Sequence, residues 1–309
     1  MIVTFTANPS VDRTSEVDAL TRGAVMRARA IRVDAGGKGV NVTRALSANG
    51  HASLAVLPSG GAEGEQLLAL LADERLRVRA VPIAGAIRAN VTIVEPDGTT
   101  TKINEPGPSL SEDEVAALTD ALLAAAGGAR WAVLSGSLPP GAPADLYATL
   151  TRSLHAAGVR VAVDTEGDLL RRALSASPDV IKPNRRELEQ ASGLAVDDVA
   201  TALAAIDRLR AAGARSVLAS LGRDGAVLAD PTGTHHATAA VTARSTVGAG
   251  DAAQAGFLAA GGAGPQALAE AVAWGAAAVS LPGSRMPHPA DIDRGAVVIN
   301  SLNPLEVSA

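Results

Sequence analysis

The sequence predicts an α/β protein: a mostly parallel sheet flanked by helices on both faces, with a small β-sheet lid. Three observations predict it. Short β-rich runs alternate with helical patterns from one end of the chain to the other. Apolar side chains make up 47% of the 309 residues, and a chain of that size buries about three quarters of its unfolded surface in one large domain. Residues 88–104 break the alternation with two β-rich runs around a Pro96-Asp97-Gly98 turn, a hairpin outside the main sheet.

In chain order, strands are expected at Ile2 to Thr6, Ser53 to Leu57, Ala132 to Leu134, Val159 to Val163, Val180 to Ile181 and Ser216 to Ala219. The first of these has no basic segment ahead of an apolar stretch, so the N-terminus reads as a strand and not a signal peptide. Helical patterns begin near Gly39, Glu63, Ser111, Pro143, Gly167, Arg185 and Asp197. Ser111-Glu112-Asp113-Glu114 has the form of a capping box, and Gly50, Gly158 and Gly213 fall where helix C-caps belong. A second polar, β-compatible stretch, residues 10–33, is no crossover helix. With the 88–104 hairpin it predicts a lid over the C-terminal ends of the strands, where open α/β sheets bind ligands. A last helical region runs from about Gly250 to Val279. It is Ala-rich but interrupted by Gly261, Gly264, Pro265, Glu270 and Gly275, which suits buried helices better than a membrane span. The final twenty residues are weakly patterned. The expectation is a single domain over 1–309 in a soluble, cytoplasmic protein.

Composition removes whole classes of chemistry. There is no cysteine, hence no disulfide, thiolate nucleophile, Fe–S cluster or cysteine zinc site. The five histidines form no H-E-x-x-H pattern, and adjacent His235 and His236 would point to opposite faces of a strand. With 27 basic against 32 acidic residues the net charge is -5, so the overall field repels nucleic acid, and any bound anion needs local groups. Two Trp, two Phe and one Tyr are too few for a base-stacking platform. Nucleic acid and membrane are not expected partners.

Only Lys38, Lys102 and Lys182 are lysines, and each lies in a Gly-, Asn- or Pro-containing segment. A compact ammonium differs from a guanidinium at a tight phosphate or hydroxyl site, which marks all three as candidates. The strongest local signal is Arg244-Ser245-Thr246-Val247-Gly248-Ala249-Gly250-Asp251, directly before a helical pattern. Glycines at a helix start let backbone amides converge on an anion, and the positive helix end favours it. Asp251 cannot bind that anion, so it faces another partner, most simply the hydroxyl that attacks; its alternative role is a plain helix cap. The same stretch matches G-x-G-x-x-A with Glu270 downstream, but it lies near the C-terminus and not after the first strand, which speaks against a dinucleotide fold. No P-loop is present. Gly36-Gly37-Lys38-Gly39-Val40-Asn41 also opens a helix and offers amides, an ammonium and a carboxamide, or else is a flexible turn. In Lys182-Pro183-Asn184-Arg185-Arg186-Glu187 the two oxygen-bearing side chains Asn184 and Glu187 share one helix face; they suit hydrated Mg²⁺, or form a capping box.

Together with Asp12, Ser59-Gly60-Gly61, Ser135-Gly136-Ser137-Leu138-Pro139-Pro140-Gly141, Ser220-Leu221-Gly222 and the lid around Arg88 and Lys102, these segments resemble the ribokinase-like, PfkB-type carbohydrate kinases, in their sugar-phosphate branch. The resemblance runs from Asn8 to about Gly283. It implies Asp251 as general base, with Gly248, Ala249 and Gly250 forming the hole for the transferring phosphoryl group. It implies sugar contacts from Asp12, Gly37, Lys38 and Asn41, and phosphate contacts from Arg88, Lys102 and Ser137. Ser220, Leu221, Gly222 and Gly225 would line the ATP site, with Lys182, Asn184 and Gly250 near its phosphates and Glu187, with Asn184, holding Mg²⁺ through water. A homodimer through the lid is implied as well. The expected substrate is a ketohexose phosphate, fructose 1-phosphate, because of Lys38 and the wording Asn184 to Leu188; Gly60 to Glu65 is closer to branches using fructose 6-phosphate or tagatose 6-phosphate. A noncatalytic sensor and a dinucleotide-dependent oxidoreductase rank lower, since base and anion hole are both intact.

Overall fold

The computed structural model describes residues 1–302. The chain begins with β1 (Ile2–Thr6), β2 (Ser10–Glu16), β3 (Ala30–Gly36), α1 (Lys38–Ala48), β4 (Ser53–Ser59), α2 (Gly61–Asp73) and β5 (Val78–Pro82). Next come β6 (Arg88–Val94), β7 (Thr100–Ile103), α3 (Glu112–Ala126), β8 (Trp131–Ser135), α4 (Leu146–Ala156), β9 (Arg160–Asp164), α5 (Gly167–Leu174) and β10 (Val180–Ile181). It continues through α6 (Arg185–Ser192), α7 (Val199–Ala211), β11 (Val217–Ser220), β12 (Ala226–Asp230), β13 (Gly233–Ala239), α8 (Ala249–Ala259), α9 (Gly264–Ser280) and β14 (Val297–Ser301).

Ten strands form the main sheet in the order β14-β13-β12-β11-β10-β9-β8-β1-β4-β5. Pairing is parallel from β11 to β5 and antiparallel from β11 to β14. Alternate residues of the central strands feed two cores. Val3, Phe5, Ala132, Leu134, Val161 and Val163 pack with α2 to α7, whereas Ile2, Trp131, Val133 and Ala162 pack with α1, α8 and α9. That alternation covers both faces with helices and leaves the strand ends as the open edge. No helix among the described residues is long and apolar enough to cross a membrane.

All six expected strands are present. Four others carried weaker signals: β5, the β12–β13 hairpin, and β14 within the weakly patterned tail. β14 is the terminal edge strand and leaves Val298 and Ile299 exposed, so its sequence shows no core-facing alternation. The expected helical region from about Gly250 to Val279 divides into two helices, α8 and α9. Gly261 and Gly262, at φ of 113° and 74°, reverse the chain between α8 and α9, in a conformation that costs an L-residue with a Cβ.

The lid is a four-stranded sheet in the order β3-β2-β6-β7. Its register sorts the side chains. Arg32, Asp34, Ser10, Asp12, Arg88, Asn90, Thr92 and Lys102 share one face. Ile31, Val33, Val91, Ile93 and Ile103 share the other.

Candidate active site

The site is assembled where α1 and α8 begin and β9 and β10 end. Thr6 closes β1, and the chain returns over it through Gly37 and Gly39. A Cβ on Gly37, at φ 121°, would sit 2.8 Å from Thr6 Cγ2, and one on Gly39 2.5 Å from Thr6 Oγ1. Only glycine allows that approach. It sets the first turn of α1 against the strand end, with Lys38 and Asn41 three residues apart on one face.

From the opposite side, Gly248 starts α8 in the left-handed conformation at φ 76°, and a Cβ there would meet Met286 Cε at 2.6 Å. No side chain caps this helix, which leaves its first-turn amides without a side-chain partner. Asp251 is 7% exposed, and its Oδ2 accepts a hydrogen bond from Asn41 Nδ2 at 2.8 Å. That contact separates it from the plain-cap alternative. Lys182, just past β10, brings its Nζ to 3.0 Å from where a Cβ on Gly250 would stand. An ammonium and a helix start thus converge on one spot.

Asp164, at the end of β9, links the lysines. Its Oδ1 accepts from Lys38 Nζ at 2.8 Å, and its Oδ2 lies 3.0 Å from Lys182 Nζ. Lys38 also donates to Glu187 Oε1 at 3.1 Å. Glu187 completes a capping box: its Oε2 accepts from the Asn184 amide at 2.8 Å, while Asn184 Oδ1 accepts from the Glu187 amide at 3.0 Å. The capping alternative for this pair is therefore realised, and it still leaves Glu187 Oε1 turned toward the lysine.

The electrostatics follow from these contacts. Burial pushes the Asp251 carboxyl up to about 7, assisted by the negative Asp164 and opposed by Lys182, Lys38 and the Asn41 hydrogen bond. Asp164 is equally buried, but Lys182 and Lys38 outweigh that and hold it below the usual carboxylate range. Desolvation works against the charge on Lys38 too, yet Asp164 and Glu187 keep its ammonium above the ordinary lysine range. Two nearby carboxyl groups are thus driven in opposite directions, the pattern of an acid–base site.

The remaining candidates fall into two neighbouring groups. On the lid side, Asp12 Oδ1 accepts from Ser10 Oγ and Asn90 Nδ2, and Asn8 Nδ2 donates to Ser137 Oγ at 3.2 Å. Arg88 donates to the Asn8 and Glu105 carbonyls and borders an opening of about 350 Å³ beside Pro106 and Gly107. Lys102 is exposed and lies opposite Thr92, four strand positions or about 13 Å along the lid from Arg88. The structure therefore gathers Arg88 and Ser137 around Asn8 and leaves Lys102 apart. On the other side, Ser220 bridges to Asn184. The Leu221 amide donates to the Gly225 carbonyl at 2.8 Å. Gly225, at φ 80°, lies where a Cβ would strike the Ala237 carbonyl, and Gly222 also has a positive φ, 68°.

Sequence reasoning passed over Asp164, Asn90 and Asn8. Asp164 was legible in principle, as an acidic residue directly after the Val159–Val163 strand pattern and so at a ligand-binding strand end. Asn90 carried only a chance glycosylation sequon. Its place beside Asp12 comes from the pairing of β2 with β6.

Comparison with known proteins agrees with this geometry. A 1-phosphofructokinase of Xanthomonas campestris is 40% identical over 266 residues, covering 84% of this chain and 83% of that protein. An ATP-dependent 6-phosphofructokinase isozyme 2 of Mycobacterium tuberculosis is 38% identical over 259 residues, 81% of this chain and 75% of the relative. The crystal structure of phosphofructokinase-2 from Escherichia coli in complex with substrates and products superposes with a TM-score of 0.88 at 32% identity, covering 94% and 96% of the two chains. Residues 6–291 match the pfkB family carbohydrate kinases, and the chain belongs to that family.

Proposed function

We propose that this kinase transfers the γ-phosphoryl group of ATP to fructose 1-phosphate, giving fructose 1,6-bisphosphate, with Asp251 as the general base. The observation that carries the reading is a buried carboxyl whose proton affinity is raised toward neutrality, located in the first turn of the helix whose uncapped amides form the anion hole. Asp251 takes the proton of the attacking hydroxyl as its oxygen bonds to phosphorus. The bond from phosphorus to the bridging oxygen breaks, and ADP leaves with that electron pair. The amides of Gly248 to Gly250 and the Lys182 ammonium stabilise charge on the moving phosphoryl group. Asp164 pairs with both Lys182 and Lys38 and holds them in place. Arg88, Asn90, Asp12 and Ser137 present polar groups to the sugar phosphate, and Lys102, farther along the same lid face, offers a further cation.

The donor set fits Mg²⁺. Glu187 and Asn184 offer hard oxygens at the edge of the cluster, and these would hold the ion through its waters. Among the described residues no group of three or more histidines or carboxylates could hold a metal ion by itself. When bound, it neutralises charge on the phosphates.

Two nearly equal identities, 40% and 38%, to relatives named for different positions of the substrate phosphate keep fructose 6-phosphate as the second reading. Fructofuranose carries a CH₂O group on either side of its ring oxygen, so either phosphate can lie in the lid with a free CH₂OH at Asp251. The test is kcat/KM for fructose 1-phosphate, fructose 6-phosphate and tagatose 6-phosphate at fixed MgATP. The 1-phosphate is expected to lead, and a clear preference for a 6-phosphate refutes that choice but not the kinase chemistry.

A further inference from the structure

Asn41 can help Asp251 only while its amide faces the right way, and a residue outside the reacting cluster controls that. Arg44 lies one helical turn beyond Asn41 on α1, on the same face. It is 8% exposed. Its Nε reaches both oxygens of Glu74, at 2.9 and 2.8 Å, and its Nη2 lies 2.7 Å from Oε1 of the same carboxylate. The other arm, Nη1, donates to Asn41 Oδ1 at 3.3 Å and to the Ser284 carbonyl at 3.2 Å.

A guanidinium is a donor with no acceptor. Whichever carboxamide atom faces Nη1 must be the oxygen, which leaves the Asn41 Nδ2 group to face Asp251, where it donates at 2.8 Å. Turning the amide over would set Oδ1 against a carboxylate and an NH₂ against a guanidinium, two unfavourable contacts at once. The same arm holds the segment that backs the anion hole. Ser284 is bonded to it, Ser245 Oγ donates to the Gly283 carbonyl at 2.7 Å, and Met286 packs against Gly248.

We propose that Arg44 is a positioning residue for phosphoryl transfer: clamped by Glu74, it locks the Asn41 carboxamide as a hydrogen-bond donor to Asp251 and fixes the segment behind Gly248. This rests on the reading of Asp251 as the base. Without the lock, Asp251 loses part of a donor that favours its ionised form. Its other charged neighbours are Asp164 from β9, Lys182 beyond β10 and Lys38 from α1, and none of them touches Arg44.

The experiment is the pH dependence of kcat at saturating sugar phosphate and MgATP for wild type, Arg44→Met, Asn41→Ala and the double variant, with Asp251→Asn alongside. Asp251 must be ionised to accept a proton. Arg44→Met should therefore move the acid limb of kcat upward by about one pH unit, the scale of a single hydrogen bond to a carboxylate, so that most of the lost activity returns at alkaline pH. Asn41→Ala should show a similar shift, and the double variant no further one. Arg44→Lys replaces the fork by one ammonium that cannot serve Glu74 and Asn41 together; its limb should lie between wild type and Arg44→Met, and it carries the test alone if the methionine variant does not fold. An unmoved limb with uniform loss at every pH, or additive shifts, overturns the proposal while Asp251→Asn stays inactive. Retained turnover in Asp251→Asn overturns the base assignment itself and the Arg44 role with it.

Discussion

At Asp251, function and stability pull against each other. Burial lifts its carboxyl to about 7 from an ordinary 3.8, so between roughly pH 4 and 7 the folded chain retains a proton that the unfolded chain has already released. Stability must then fall as pH rises through that window. Asp251→Asn removes the titration, so its urea midpoint should exceed that of wild type by a margin that grows from pH 4 to pH 8. A constant margin across that range would mean that the carboxyl ionises normally. The same substitution should lower kcat by roughly 10² to 10⁴ with little change in KM, as expected for loss of a general base. Arg88 makes a contrasting case, because it is held by the carbonyls of Asn8 and Glu105 at the edge of the lid. Arg88→Ala should raise KM for the sugar phosphate and leave ATP binding nearly unchanged, since charge-assisted bonds to phosphate act locally. Equal loss of both ligands, measured by calorimetry, would point to a folding defect.

At the scale of the element, the helices around the site depend on caps that are partly local and partly not. Ser111 and Glu114 form the capping box of α3, bonded in both directions, as four adjacent residues foretell. α9 is different: Ala263 precedes it and has no side chain that could cap it. Buried Asp230, at the end of β12, does so from 34 residues away, with Oδ2 accepting from the Gly264 amide at 2.7 Å. Its Oδ1 takes the amide and hydroxyl of Thr232. Asp230→Ala leaves these donors without their acceptor, and about 1–3 kcal/mol of unfolding free energy should be lost. Urea denaturation reads that loss directly. A change below a few tenths of a kcal/mol would show that water replaces the carboxylate without cost.

For the whole molecule, the lid has a polar face that carries the site residues and an opposite face whose apolar side chains flank Arg13 and Ser15 of β2. Ile31 is 70% exposed and Ile103 57%, with half-buried Val91 and Ile93 between them. Exposed apolar side chains gathered on one sheet face mark an interaction surface. We propose that two lids pack through these faces in a homodimer. In sedimentation equilibrium the wild-type chain should behave as a dimer, and Ile31→Lys with Ile103→Lys as a monomer with raised KM for sugar phosphate. A wild-type chain that stays monomeric at micromolar concentration would refute the pairing.

The sequence by itself determined the α/β class, the six inner strands, the lid hairpin and the start of nearly every helix. These are local properties: hydrophobic period, capping spacing, and glycine where a helix begins close to another backbone. Tertiary structure alone decided what faces what. Asp164 became the shared counter-ion of Lys38 and Lys182, Lys102 was set apart from Arg88, and Asn90 came to lie beside Asp12. It also joined Arg44 to Asn41 and Glu74, and folded the weakly patterned tail into β14. Each of these depends on strand register or on meetings between distant segments, such as Lys38 and Asp164, 126 residues apart. Burial then did the rest, because a carboxyl's proton affinity follows from the desolvation and charges that the complete fold assembles around it, and no window of sequence contains them.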